Sequence, residues 1–282
     1  MAIFESQNTA QATRLIEADG HYDTGVVLAG AALACLGIVM VGSSSIAVAE
    51  GQHIGPFYYL IRHLVFLSLG ISLAIVTAKI ELAFIERHAR VLLLGGVVLL
   101  LLVFVPGIGM RVNGARRWIH LGVSGFQSVE VVKLLIITYM AGYLVRHRES
   151  VQTRLFGVIK PLGIAALVVV LLLAQPDFGS AALLMAVSLG MVWLGGARLR
   201  NLAMLGSFAV PALAWAAFSE DYRIKRFTSF LDPWADPFND GFQLVQALIA
   251  IGRGEWFGVG LGGSVQKLFY LPEAHTDFIL AV

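Results

Sequence analysis

The 282-residue chain is 58% hydrophobic and only 13% charged, roughly half the charge of an average soluble domain. Together with a mean hydropathy of +0.80, this leaves too little polar surface to cover a water-soluble globule, so lipid must cover part of the protein. The net charge of +2 argues neither for nucleic acid nor for an acidic partner, and a single cysteine, Cys35, excludes an internal disulfide and a cysteine-cluster metal site.

Residues 1–23 read as a polar cytoplasmic tail. Arg14 lies there among Glu5, Glu17, Asp19 and Asp23, without the basic start and small-residue cleavage site of a signal peptide, so the first apolar segment reads as a retained anchor. A helix crossing a bilayer needs about 20 mostly apolar residues. Windows at 24–49, 57–78, 91–110, 131–145, 161–176, 178–197 and 201–219 predict seven spans.

With the N-terminus inside, ten Lys and Arg residues flank the cytoplasmic ends of these spans. Only Arg111, Arg116 and Arg117 lie in the opposite short loops. The positive-inside rule therefore predicts a cytoplasmic N-terminus.

Those three exceptions share one stretch, MRVNGARRWIHLGVSGFQSVEVVK (110–133), between the third and fourth spans. Two adjacent guanidinium groups before Trp118 suit phosphate or diphosphate oxygens. A headgroup anchor with an interfacial tryptophan explains them equally well. Glu130 and Lys133 share a helix face at i, i+3. A cation inside a span costs about 2.5–3.5 kcal/mol and usually faces a partner or a cavity; snorkelling to the interface is the plainer reading of Lys133. Arg62, one turn into the second span, raises the same pair of readings.

In QPDFGS (175–180), Pro176 ends one helix and Asp177 caps the next. From Glu220 to Thr276 the chain is too polar to cross and forms a large outer loop. There GFQLVQALIAIG (241–252) predicts a short amphipathic helix with Phe242, Val245, Leu248 and Ile249 on its apolar face. DPWADPFNDG (232–241) lacks calcium-loop spacing and suits a rigid turn. GVGLGG (258–263) has no preceding strand and is no dinucleotide fingerprint. Ser264 and His275 have no triad spacing. In YLPEAHTDFILAV (270–282), Glu273, His275 and Asp277 adjoin an apolar run; helix capping alone accounts for an aspartate there.

NGARRWI, the Gln127/Glu130/Lys133 arrangement, QPDFGSA, FLDPWADPFNDGFQ and LPEAHTDFI occur in one order along nearly the whole chain. In this the sequence resembles the SEDS family (shape, elongation, division and sporulation), polytopic peptidoglycan glycosyltransferases. The loop wording is most like the family's division branch, the FtsW proteins. One departure is QSVE at 127–130, which lacks the family's helix-starting proline.

The resemblance implies an all-α polytopic membrane bundle forming a single membrane domain over 1–282. Ten spans are the family pattern, so the chain reads as cut inside an eighth. It also implies polymerisation of lipid II at the outer face of the bacterial cytoplasmic membrane, at the division septum. Asp277 would be the catalytic base and Lys133 its ion-pair partner. Arg116, Arg117, Glu130, Arg62, Trp118 and His275 would surround the substrate. The implied partners are a class B penicillin-binding transpeptidase of the FtsI type and divisome membrane proteins such as the FtsQ, FtsL and FtsB group. No cofactor is certain: a divalent cation (Mg or Mn) on the diphosphate fits the chemistry, but the sequence offers no ligand set for it. A lipid-precursor flippase and a non-catalytic scaffold are the alternatives. A translocation path needs polar groups through the full depth, whereas here they gather at the outer mouth.

Overall fold

The computed structural model describes residues 23–112, 114–120, 125–260, 263–266, 270–272, 274 and 276–281. Glu273 and His275, and the tail before Asp23, lie outside the described residues. The chain divides into two compact units, one formed by residues 1–75 with 228–282 and the other by 76–227.

In the first unit, α1 (Thr24–Gly51) starts at Asp23, whose carboxylate accepts the Gly25 and Val26 amides at 2.8 and 3.3 Å. This satisfies two of the free amides at a helix N-terminus. Its 28 residues span about 42 Å at 1.5 Å per residue, longer than the bilayer core. The next helix, α2 (Tyr58–Ala78), runs out of this unit into the other. Tyr59 donates to Gln52 Oε1 at 2.6 Å across the intervening turn.

In the second unit, α3 (Leu82–Leu102) leads to a small antiparallel sheet: β1 (Gly109–Val112), β2 (Ala115–His120) and β3 (Gly125–Gln127), in spatial order β1-β2-β3. There follow α4 (Ser128–Arg146), α5 (Arg148–Thr153), α6 (Leu155–Ala174), α7 (Phe178–Leu194) and α8 (Leu199–Phe218). The core of the unit is aliphatic, built from residues such as Leu100, Ile136, Met140, Val168, Leu172 and Leu184.

Two glycines mark close approaches between its helices. A Cβ on Gly96 would lie 2.9 Å from Leu135 Cδ1, so α3 meets α4 through a gap only hydrogen fills. A Cβ on Gly157 would lie 2.3 Å from the Ser150 carbonyl oxygen, which fixes the sharp passage from α5 into α6. The outward side chains are apolar too: Leu94, Val145, Leu194, Phe208 and Trp215 are all exposed. Such a surface is stable only against lipid.

After α8 comes α9 (Asp221–Leu231), which straddles the division between the units. The first unit then resumes with α10 (Phe242–Gly254) and a final 3-10 turn at Ile279–Ala281. Ala247 of α10 packs with Leu271 and Ala274, and Phe278 and Ala281 close over them.

The seven expected spans correspond to the seven long helices α1 to α4 and α6 to α8. Among the described residues five helices, α1, α2, α4, α6 and α8, are long and apolar enough to cross a membrane by length and composition. The 17-residue α7 is shorter, and α3 carries Glu86, Arg87 and Arg90 in its first half.

The third window needs correction. Its helix is 82–102, not 91–110, because the chain turns after Leu102 and Met110 enters β1. Arg87 and Arg90, expected in a loop, are therefore helical. The expected short helix is α10; its buried residues are Val245, Ala247 and Ala250, while Leu248 is exposed. Small residues let the helix sit close to Leu271 and Ala274, which the larger Leu248 would prevent.

Candidate active site

β2 carries two neighbouring arginines where its pairing with β1 slips by one residue: Met110 lies opposite Trp118, but Arg111 lies opposite Arg116, which leaves Arg117 in a bulge. Simple alternation therefore does not sort the two side chains, and their partners do. On its other side Trp118 lies opposite Gln127. A Cβ on Gly125 would lie 3.0 Å from Trp118 Cε3, so the indole covers that glycine.

Arg117 is fully engaged. Its guanidinium donates to the carbonyl oxygens of Gln175, at 3.4 Å, and Pro176, and its Nη1 lies 3.9 Å from Asp177 Oδ1. Asp177 caps α7, as expected, by accepting the Ser180 amide at 3.3 Å. The same turn is held from a third side, where buried Gln175 donates to the Leu100 carbonyl at 2.9 Å. One short segment, 175–177, thus joins the end of α3, strand β2 and the start of α7. Asp177 is the acidic centre of that joint; its side chain is only 8% exposed.

The Arg116 side chain makes no hydrogen bond or ion pair with a described residue. Lys133 lies one turn into α4 and pairs with Glu130, Nζ to Oε2 2.8 Å and Nζ to Oε1 2.9 Å. Glu130 occupies the first turn of α4, where a negative charge suits the helix dipole. Gln127 precedes the helix without a side-chain cap, and β3 runs directly into it. The strand supplies the entry geometry that a proline at the first helical position would otherwise provide. Arg62, in α2, is exposed with its guanidinium 5.7 Å from the Phe66 ring. Asp277 is exposed in the turn just before Ile279–Ala281 and makes no ion pair with a described residue.

Arg116, Arg117, Trp118, Glu130 and Lys133 thus belong to the second unit, and Arg62 and Asp277 to the first. His275 lies outside the described residues. Among the described residues no group of three His, Cys, Asp or Glu side chains could hold a metal ion. In 232–241, Asn239 instead donates to Asp236 Oδ1 at 2.9 Å within a tight turn.

Two features escaped the sequence reading. The sheet was signalled by the Asn113-Gly114 dipeptide followed by the short run ARRWIH, a hairpin pattern. Arg223, in the first turn of α9, donates to the Ala216 carbonyl and lies 5.6 Å from the Phe178 ring. It closes the free carbonyl end of α8 against the start of α7.

A helical bundle with lipid-exposed apolar faces, capped by a small sheet that gathers cations, defines a multi-pass membrane protein. The family model described as "Cell cycle protein", which groups FtsW, RodA and SpoVE, matches residues 24–282, and the chain belongs to that family.

Relatives named probable peptidoglycan glycosyltransferase FtsW include one from Xanthomonas oryzae pv. oryzae, 52% identical over 96% of this chain and 55% of its own length. Another, from Nitrosococcus halophilus, is 54% identical over 90% of this chain and 66% of its own. The chain therefore spans roughly half to two thirds of the length of these relatives.

Among solved structures, one titled as a peptidoglycan synthase complex coordinating polymerization and crosslinking is similar with a TM-score of 0.64. It is 32% identical and covers 82% of this chain and 65% of that one. Thermus thermophilus RodA, titled a rod shape determining protein, gives a TM-score of 0.53 at 25% identity, covering 92% of this chain and 96% of that one.

Proposed function

We propose that the protein of which this chain is part polymerises lipid II during septal wall synthesis. The observation that carries this reading is identity above 50% to proteins named peptidoglycan glycosyltransferases across nine tenths or more of the chain. In the reaction, an acceptor sugar hydroxyl oxygen bonds to the donor's anomeric carbon. The bond from that carbon to the diphosphate oxygen breaks, and the diphosphate leaves with the electron pair. The hydroxyl proton goes to a carboxylate.

Asp277 is that carboxylate. General base catalysis contributes about 10²- to 10⁴-fold in rate. Diphosphate leaves without an acid, so the second carboxylate of a glycosidase is unnecessary; positive charge is needed instead. Arg116 and Lys133 supply it, Arg116 because its guanidinium is uncommitted and Lys133 because Glu130 holds it at the mouth of α4. Glu130, Trp118, Arg62 and His275 contribute to substrate contact. Arg117 contributes by holding the turn at 175–177. A divalent cation on the diphosphate is compatible with this chemistry.

The N-terminus is cytoplasmic, the 220–276 loop is outside, and the enzyme acts at the division septum. There it works with a class B penicillin-binding transpeptidase and the FtsQ, FtsL and FtsB group. The solved synthase complex that this chain resembles supports pairing of polymerisation with crosslinking.

The test is polymerisation of labelled lipid II by the full-length protein reconstituted with its transpeptidase. Wild type makes polymer, and Asp277→Asn, inserted and folded normally, makes none. Full activity in that variant refutes the assignment.

A further inference from the structure

Two contacts set the register of α3 against α4. Leu135 lies over Gly96, and Glu86 lies over Gly142, where an added Cβ would come within 3.3 Å of Glu86 Cγ and of Arg146 Nη2. Each step forward along α3 is therefore matched by a step back along α4, which brings Arg90 level with Tyr139. The positive charges of Arg90 and Arg146 are both felt at the Tyr139 hydroxyl. A polar cluster thus gathers in the seam between the two helices, at the membrane face where α3 starts and α4 ends.

The cluster is chemically lopsided. Arg90 is eight residues into α3, about 12 Å along the axis, and its side chain makes no hydrogen bond or ion pair with a described residue. Arg146 meets Glu86 at 3.8 Å, near the roughly 4 Å limit of an ion pair. Two guanidinium groups therefore share one loosely held carboxylate. Beside them Tyr139 and Tyr143 are only 8% and 7% exposed, with rings 6.2 Å apart. Neither hydroxyl makes a hydrogen bond with a described residue, although phenols buried to this degree ordinarily find a partner.

Orientation signals account for exposed cations at the same membrane face, such as Arg148 and Arg200. They do not account for buried phenol donors next to an excess cation more than two turns inside a helix. Such a cation calls for a counter-anion, and the anion a bilayer supplies at its boundary is a lipid phosphate. Basic groups between spans hold anionic headgroups in this way. Exposed apolar side chains of the same two helices, Leu94, Val98 and Leu134 among them, offer cover for the acyl chains.

We propose that this seam binds the headgroup of an anionic phospholipid, its phosphate held by Arg90 and Arg146 and hydrogen-bonded by the tyrosine hydroxyls. The site stands apart from the polymerase reading, because it needs neither lipid II nor Asp277.

The test titrates the full-length protein, in a neutral detergent, with phosphatidylglycerol and with phosphatidylcholine, and counts bound lipid by native mass spectrometry. Wild type should bind phosphatidylglycerol about tenfold more tightly, the worth of one charge-assisted contact. Arg90→Gln and Arg146→Gln should each remove most of that preference. Replacing both tyrosines, Tyr139→Phe with Tyr143→Phe, keeps the packed rings and should weaken binding about threefold.

Glu86→Gln separates ligand binding from helix pairing. It breaks the same ion pair as Arg146→Gln, so a merely structural pair predicts the same effect for both. The lipid site predicts opposite effects: tighter binding in Glu86→Gln, where Arg146 loses its competitor, and weaker binding in Arg146→Gln. Arg200→Gln removes an equal charge from the same face and should leave affinity within about twofold. No lipid preference in wild type, unchanged affinity in Arg90→Gln or in the tyrosine variant, or an equal loss in Arg200→Gln overturns the site. Displacement of the lipid by inorganic phosphate would make free phosphate the ligand and overturn the headgroup assignment.

Discussion

Arg117 and Asp177 meet at 3.9 Å beside a helix start that is otherwise capped by a single amide contact. The interaction matters less as an isolated ion pair than as part of the joint at 175–177, where two carbonyl oxygens share the same guanidinium. Asp177→Ala removes both cap and counter-charge, and capping residues alone are worth about 0.5–2 kcal/mol. We expect a lower thermal midpoint in detergent, with a loss of about 1–3 kcal/mol once the orphaned cation is included. Asp177→Asn keeps the cap oxygen and loses only the charge, so its midpoint should fall between those of wild type and Asp177→Ala. Equal midpoints for all three proteins would show that the joint is not holding the turn.

Helices are where the sequence was most legible, because each window of about 20 apolar residues has only one way to satisfy its backbone in lipid. Their ends were less so. The third helix begins in a charged stretch because Glu86, Arg87 and Arg90 can extend beyond the apolar core while the backbone stays helical. Glu86 indeed reaches Arg146 of α4 at 3.8 Å, tying the two helices at their polar ends. The sheet was missed because its strands are 4, 6 and 3 residues long, too short for alternation to stand out beside apolar spans.

At the same scale, α3 and α4 pack through Gly96. Gly96→Val would push two methyl groups into Leu135 and Val132, and overpacking of this kind typically costs about 1–3 kcal/mol. Gly157→Ala meets backbone rather than a movable side chain, so it should be the more damaging of the two. Differential scanning of the purified variants ranks them, and the opposite order would mean that the α5–α6 passage relaxes.

For the whole molecule, composition settled that lipid is the solvent, and charge distribution supplied an orientation. Cysteine-accessibility mapping tests that orientation. In a Cys35→Ser background, a single cysteine introduced at Gly55, between α1 and α2, should react with an impermeant maleimide in intact cells. One at Ile80, between α2 and α3, should react only after permeabilisation; the reverse pattern inverts the topology. The motif order carried the family, but the candidate site was only partly legible. Sequence distance gave Glu130 its neighbour Lys133, since i, i+3 on a helix is a geometric statement. It could not distinguish Arg116 from Arg117, which differ in the partners the fold gives them, nor find Arg223, whose role depends on where α8 ends.

That difference bears on what each position tolerates. A guanidinium shared between two carbonyls and a carboxylate relies on a planar fork that lysine lacks, whereas a solvent-facing cation needs only charge and reach. Exchange to lysine should therefore be silent at Arg116 and costly at Arg117, although the two residues are chemically identical neighbours. Moving from one to the other along the strand, the chain passes from a position that asks only for a positive charge to one where a single atom's placement is under constraint.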